Sequence, residues 1–376
     1  MKQYGLRAVW LAWISTAASA ELSGNAALEA ILFTEDARSP EQLENNLTAS
    51  FQPRWSAEWN DGDDSWSAEL FFRADGKDDK RNHADIRELM WLHLDGDNEW
   101  RVGFNTMYWG VTESRHLVDV VNQIDAVEGF DGEDKLGQPM LHLKRYQEWG
   151  VVDLLVLPGF RERTLPGVVG EAATYQSSDE DRHVDYAMRY SHTIDDLDFG
   201  LSWFKGTNRE PEFNGQSAPH YLQMTQLGFD AQLIDEDWTW KLEVIHRDTD
   251  AVKYEALTGG FEYTFYGVYD SDIDLGTLVE YSHDNRPEGQ RGVLDRDIFL
   301  GARLAFNDVQ SSELLAGFVV DTERQSRSFR LEGNRRIGDS WKATIEAQVF
   351  SNIDDQDPLI VFEDDDYLLF EMARFF

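Results

Sequence analysis

The chain has 376 residues, 71 of them acidic and 34 basic, giving a formal net charge of -37, and it contains no cysteine. Such a polyanion is excluded as a nucleic-acid binder. The missing cysteine excludes disulfides, thiolate metal sites and a cysteine nucleophile. Mean hydropathy is -0.51, and no stretch stays apolar for the roughly 18 residues of a membrane helix.

The N-terminus has the form of a secretory signal. Lys2 and Arg7 are basic, Ala8 to Ile14 are apolar, and Ala18-Ser19-Ala20 offers a small-residue cleavage site. Residues 1–20 are therefore expected to be a signal peptide and 21–376 the exported chain. A hydropathy this low is compatible with a membrane only as a barrel, whose signal per strand is weak.

From Glu21 onward short alternating segments recur. Leu47, Ala49, Phe51, Pro53, Trp55, Ala57 and Trp59 occupy every second position, with Thr48 to Glu58 interleaved. Asn60-Asp61-Gly62-Asp63-Asp64 supplies a tight turn, and Trp66, Ala68, Leu70 and Phe72 resume the pattern. The same device returns after Asp95-Gly96-Asp97-Asn98 and in segments through Trp341 to Val349. Period-two alternation is the strand signature.

Tight turns are expected near Asp61, Asp95, Glu148, Asp195, Glu236, Asp272, Asn307 and Gly338. Longer polar connections alternate with them: Thr34–Asn46, Asp75–Ala84, Gly110–Pro139, Pro158–Arg182, Thr207–Pro219, Arg286–Val293 and Ile353–Asp366. This spacing predicts an all-β fold, a transmembrane antiparallel β-barrel of about 18 strands, or about 16 if two weak segments fail. Short periplasmic turns and long extracellular loops are implied, with Trp59, Trp66, Trp100, Trp238, Trp240 and Trp341 in an aromatic belt beside the turns.

If the apolar set faces lipid, the other set faces the lumen. That places Arg54, Glu58, Glu69, Arg73, Arg101, Arg189, Lys241, Glu243, Arg303 and Arg330 on the pore lining. Charges facing lipid at mid-depth would cost several kcal/mol each, whereas in a wet lumen they hydrate or pair across strands. Asp185, Asp230, Glu262, Glu280, Glu332, Glu346 and Glu371 share this face.

The connection from Gly110 to Pro139 exceeds any turn, and loops of that length are usually functional or disordered. Leu117, Val118, Val120, Val121, Ile124 and Val127 give it apolar anchors at near-helical spacing, so a partly helical segment folding into the lumen is expected; an external cap is the alternative. Glu113, Arg115, His116, Asp119 and Asp125 would then be the constriction residues. Acidic runs such as Asp179-Glu180-Asp181, Asp354-Asp355-Gln356-Asp357 and Glu363-Asp364-Asp365-Asp366 could hold Ca²⁺ weakly or bridge to lipopolysaccharide, although turn formation explains them as well. No EF-hand spacing is present, and no metal or other cofactor is expected.

Three stretches carry a resemblance. Tyr108-Trp109-Gly110-Val111-Thr112-Glu113-Ser114, Val120-Val121-Asn122-Gln123-Ile124-Asp125 and Gly137-Gln138-Pro139-Met140-Leu141 are similar to motifs of a domain-of-unknown-function family of Gram-negative outer-membrane barrels. That family is often encoded beside RND-type exporters. Here Val111-Thr112 stand before the glutamate and Gln123-Ile124 replace the proline step. The resemblance implies an outer-membrane location and a part in transport.

At the C-terminus, Leu368, Phe370, Met372 and Phe376 share one face of an extended strand, and Glu371 and Ala373 the other. This ending resembles the assembly signal read by the barrel-assembly machinery. The last strand is expected to pair with the first and abolish both edges. Ser191-His192 and His116/Asp119 are the nearest approaches to a catalytic group, and neither has a nucleophile or metal motif, so no enzyme is expected. The leading expectation is a cation-preferring, porin-like channel for small hydrophilic or charged solutes. A structural or exporter-partner barrel is the alternative, and a barrel-embedded hydrolase a lesser one. Partners implied are outer-membrane lipid, lipopolysaccharide and the solute.

Overall fold

The structure is a computed structural model and describes residues 19–35, 45–129, 132–164, 172–213, 218–287 and 290–376. Of the expected signal peptide, residues 1–18 lie outside the described residues. The strands are β1 (Ser19–Phe33), β2 (Asn45–Trp59), β3 (Asp64–Asp75), β4 (His83–Asp95), β5 (Asn98–Asn105), β6 (Gln138–Gln147) and β7 (Gly150–Pro158). Next come β8 (Thr174–Tyr175), β9 (Val184–Ile194), β10 (Leu197–Thr207), β11 (His220–Tyr221), β12 (Gln223–Asp235), β13 (Trp238–Thr249) and β14 (Lys253–Phe265). The remainder are β15 (Asp274–Asp284), β16 (Asp297–Ala305), β17 (Glu313–Asp321), β18 (Arg327–Ile337), β19 (Trp341–Ser351) and β20 (Tyr367–Phe375).

All except β8 and β11, which pair with each other, form one 18-stranded antiparallel sheet. It closes because β20 bonds to both β19 and β1, with Leu28 opposite Met372 and Ala30 opposite Phe370. Closure leaves no unpaired edge of backbone N–H and C=O groups, the condition for crossing a bilayer with strands. The count is 18, and the 16-strand alternative is set aside.

Alternation decides which way each strand faces. Leu28, Leu47, Leu227 and Phe370 stand exposed on the outer wall, while Glu29, Thr48, Gln226 and Asp230 are buried on the inner side. Arg374 shares the outer face with Phe370 and Met372 and lies over the Trp341 ring at 5.5 Å. Phe376 stacks on Phe51 with centroids 6.0 Å apart, and its backbone exchanges hydrogen bonds with Gly24.

Turn chemistry fixes the narrow end. Asn60 and Asp61 (φ 56° and 57°), Asp195 (φ 52°) and Glu236 (φ 53°) take left-handed backbone, which Asn and Asp adopt most cheaply among non-glycine residues. Strand-to-strand connections fall at all eight expected positions; six have two to four residues, while 266–273 and 306–312 have eight and seven, and a short connection not expected, 250–252, lies at the other end. At the other end the acidic runs build their own connections: Asp354 accepts Gln356 N, Asp357 accepts Leu359 N, and Asp366 accepts Phe350 N.

The rule that apolar means lipid-facing has inward exceptions such as Phe71, Phe299, Leu315 and Leu369, and it fails most densely along one arc. Met140, Leu155, Leu157, Ala187, Phe204, Met224 and Ile245 are nearly or fully buried on the inner side from β6 to β13. They form an apolar patch inside the barrel, and the long connection covers it.

Candidate pore and its inward loop

The described residues of 106–137, between β5 and β6, run back along the inner wall. Leu117, Val118, Val120 and Val121 are 0–5% exposed and pack on the inner apolar patch. Each such side chain removes apolar surface worth about 1.5–3 kcal/mol, an upper bound because unfolded chains are partly compact. Gly228 on β12 makes room: a Cβ there would stand 3.0 Å from Val118 Cγ1.

The expected helix is not formed; the described residues of 110–139 contain none. The physical reason lies in where the backbone donors go. Glu243 Oε1, on β13, accepts Val111 N at 2.7 Å, Thr112 N at 3.0 Å and Thr112 Oγ1 at 2.7 Å, and Oε2 accepts Val118 N at 3.1 Å. Glu280, on β15, accepts Glu113 N and Ser114 N at 2.8 Å and Ser114 Oγ at 2.6 Å. Two carboxylates thus hold five backbone N–H donors that a helix would have turned on its own carbonyls, and two hydroxyls besides. Gly110 (φ 112°) passes so close that a Cβ would lie 2.4 Å from Glu243 Oε1.

Further bonds fix the rest of the segment. Gln226 donates to Leu117 O at 3.2 Å, and Arg209 donates to Val121 O at 2.8 Å while pairing with Asp185 at 2.5 Å. Lys135 pairs with Asp119. Arg87 on β4 pairs with Asp125 at 2.5 Å, and Arg73 on β3 with Glu128 at 2.5 Å. Arg189 grips Asp230 through two bonds of 2.6 Å and lies 5.5 Å from the Trp109 ring.

Beside the segment remains a cavity of about 2600 Å³. On one side it is bounded by Glu113, Arg115, His116 and Asp119, and on the other by the inner faces of β1, β2 and β16–β20. Glu29, Arg330, Glu332, Lys342, Glu346 and Glu371 supply the opposing charges. Among the described residues around it, eighteen carboxylates face fourteen lysines and arginines. Glu113 pairs with Arg303 at 2.7 Å, and Arg115 with Asp284 at 3.2 Å. Half-exposed Glu210, in the β10–β11 connection, faces an arginine cluster. Desolvation works against its charge, yet Arg247, Arg286, Arg115 and Arg163 hold its carboxyl down at about 2.

The sequence-derived residues separate into groups. Glu113, Arg115, His116 and Asp119 border the cavity, whereas Asp125 is 2% exposed and turned to the β4 wall. Arg73 and Arg330 border the cavity. Glu243 is inward but fully covered, so it holds the loop and does not line a pore. Arg54 pairs with Glu69 and Arg101 with Glu99; Glu58 lies two residues before the first tight turn, toward the short-turn end. Lys241 stands 3.9 Å from Glu113. Arg209, Arg247 and Arg87 were missed: the last two sit at inward positions of named strands, and Arg209 lies in a connection that alternation does not reach.

No family model matches the chain, and no curated protein matches it. Solved structures do. A BenF-like porin from Pseudomonas fluorescens Pf-5 aligns over 96% of this chain and 98% of its own, with 10% identity and a TM-score of 0.56. Wzi, an Escherichia coli outer-membrane protein involved in capsule assembly and described as a carbohydrate-binding barrel, aligns over 93% and 83%, at 10% identity and TM-score 0.56. At such identity the likeness is one of fold, that of an outer-membrane-type β-barrel.

Proposed function

We propose that this protein is a porin-like channel of the Gram-negative outer membrane that passes small hydrophilic or charged solutes and favours cations. The inward segment carries the proposal. It is held by Glu243 and Glu280 against one wall, leaving along the other a cavity that carries charges of both signs. A loop narrowing an 18-stranded lumen is the arrangement that makes a wide barrel selective, since fixed charges of both signs orient a passing solute. The excess of carboxylates over cationic side chains around the cavity supports cation preference, by raising local counter-ion concentration. The porin likeness of the fold supports the channel class. Exposed apolar side chains around the wall support residence in lipid. Reconstitution in planar bilayers tests the reading: discrete conductance steps with a cation-selective reversal potential are expected, and a folded, inserted barrel without conductance would overturn it.

A further inference from the structure

The sequence has no metal motif, yet one group of ligand-type side chains converges where the inward segment meets the wall. His83 opens β4, and Asp125 and Glu128 lie in the loop; one donor atom of each falls within 4.8 Å of the others. His83 Nε2 lies 3.3 Å from Glu128 Oε1 and 3.4 Å from Asp125 Oδ2. Asp125 and Glu128 side chains are 2% and 5% exposed. Neither His83 Nε2 nor Glu128 Oε1 has a hydrogen-bond partner, although both atoms are buried.

The imidazole is oriented for ligation. Its Nδ1 lies 3.1 Å from Arg81 O, a carbonyl that only accepts, so Nδ1 carries a proton, and in the neutral ring Nε2 presents a lone pair. Metal-bound histidines are held in the same way. Three lone-pair-bearing atoms facing one another in a buried site repel; Arg87 and Arg73 each neutralise one carboxylate, and a further cation among the three donors would use the lone pairs left without a partner. His83 Nε2 stands 3.3 and 3.4 Å from the two carboxylates, outside the range of about 2.7–2.9 Å usual for a charge-assisted hydrogen bond. Ligands about 2.0–2.1 Å from a tetrahedral ion stand about 3.3–3.4 Å apart, the separation His83 Nε2 keeps from both carboxylates.

We propose that His83, Asp125 and Glu128 bind a first-row divalent cation of the Zn²⁺ type, which latches the inward segment to β4. One nitrogen and two carboxylate oxygens are the donor set such ions take, and because Glu128 borders the cavity a fourth position is open to water. Arg73 holds the far oxygen of Glu128, Oε2, whereas Arg87 bonds the same Asp125 Oδ2 that faces His83, each at 2.5 Å; the carboxylates are fixed, the ion's charge is opposed, and the ion shares Oδ2 with Arg87. The ion is therefore exchangeable, not locked in the fold.

The test needs only folded barrel, and neither readout depends on conduction. Detergent-purified protein is equilibrated with ZnCl₂, freed of unbound ion by gel filtration, and its metal measured by mass spectrometry. One Zn²⁺ per chain is expected, reduced at least tenfold in His83→Phe, which keeps a ring against Phe71, and in Glu128→Gln. A heat-dependent gel shift establishes that each variant is folded. Co²⁺ added to the wild-type chain should give the intense visible band of a tetrahedral site, lost on adding Zn²⁺. Uptake equal in wild type and folded variants overturns the proposal. So does a wild-type chain that gives no such band, where a protonated imidazole only would fill the site.

Discussion

Replacing Glu243 by alanine removes the acceptor for Val111 N, Thr112 N, Thr112 Oγ1 and Val118 N at once. A hydrogen bond to a charged group is worth about 1.5–3 kcal/mol, and a buried donor left without a partner costs a similar amount. Four such bonds share one carboxylate and do not add, so about 3–6 kcal/mol is the loss expected for the inward arrangement. Against this, Leu117, Val118, Val120 and Val121 hold the segment with about 6–12 kcal/mol gross of apolar burial. Glu243→Ala should therefore loosen residues 110–118 without releasing the loop. Adding Glu280→Ala removes three more bonds and should release it, since each 1.4 kcal/mol moves the equilibrium about tenfold. In single-channel recordings the single variant should show added gating noise, and the double variant a raised conductance. Both should keep the heat-dependent gel shift of a folded barrel. A folded double variant with wild-type conductance and noise would refute the reasoning.

Other consequences follow from the wall. Ile345→Arg, on the outer face near the middle of β19, should cost about 2–4 kcal/mol in denaturant unfolding from vesicles, whereas Gln348→Arg, on the inner face, should be close to neutral. Deleting Phe376 removes its stacking on Phe51 and its two backbone bonds to Gly24, and should lower the yield of heat-modifiable barrel in outer-membrane fractions; unchanged yield would contradict an assembly role. In a potassium chloride gradient the reversal potential should favour cations, most strongly at low salt, because charge around the cavity is screened over about 10 Å at 0.1 M. Anion preference would mean that the arginines around Glu210 dominate.

The barrel was legible because period-two alternation and tight-turn chemistry are local: Trp66 to Phe72 or Trp341 to Val349 declare a strand without reference to anything distant. The inward loop was legible only in part. Its apolar residues need something to bury against, but the partner surface is assembled from single positions on β6 to β13, such as Met140, Phe204 and Ile245, which no local pattern groups. Parity gives the direction of Glu243 and Glu280 and not what covers them, so a loop anchor and a pore-lining charge read alike. Near-helical spacing from Leu117 to Val127 misled for a related reason. Backbone donors choose the strongest acceptor within reach, and here two buried carboxylates outcompete a helix's own carbonyls. Asp125 reads as a luminal charge until Arg87, some forty positions earlier, is placed beside it.

The central claim is that this barrel conducts through a lumen narrowed by its own inward segment. Excision of residues 112–132, joined by a short flexible linker and compared with the full chain in the same planar bilayer, measures it most directly. The account predicts a folded barrel with higher unitary conductance and weaker discrimination between solutes of different charge. A folded barrel whose conductance and discrimination match the full chain's would contradict it.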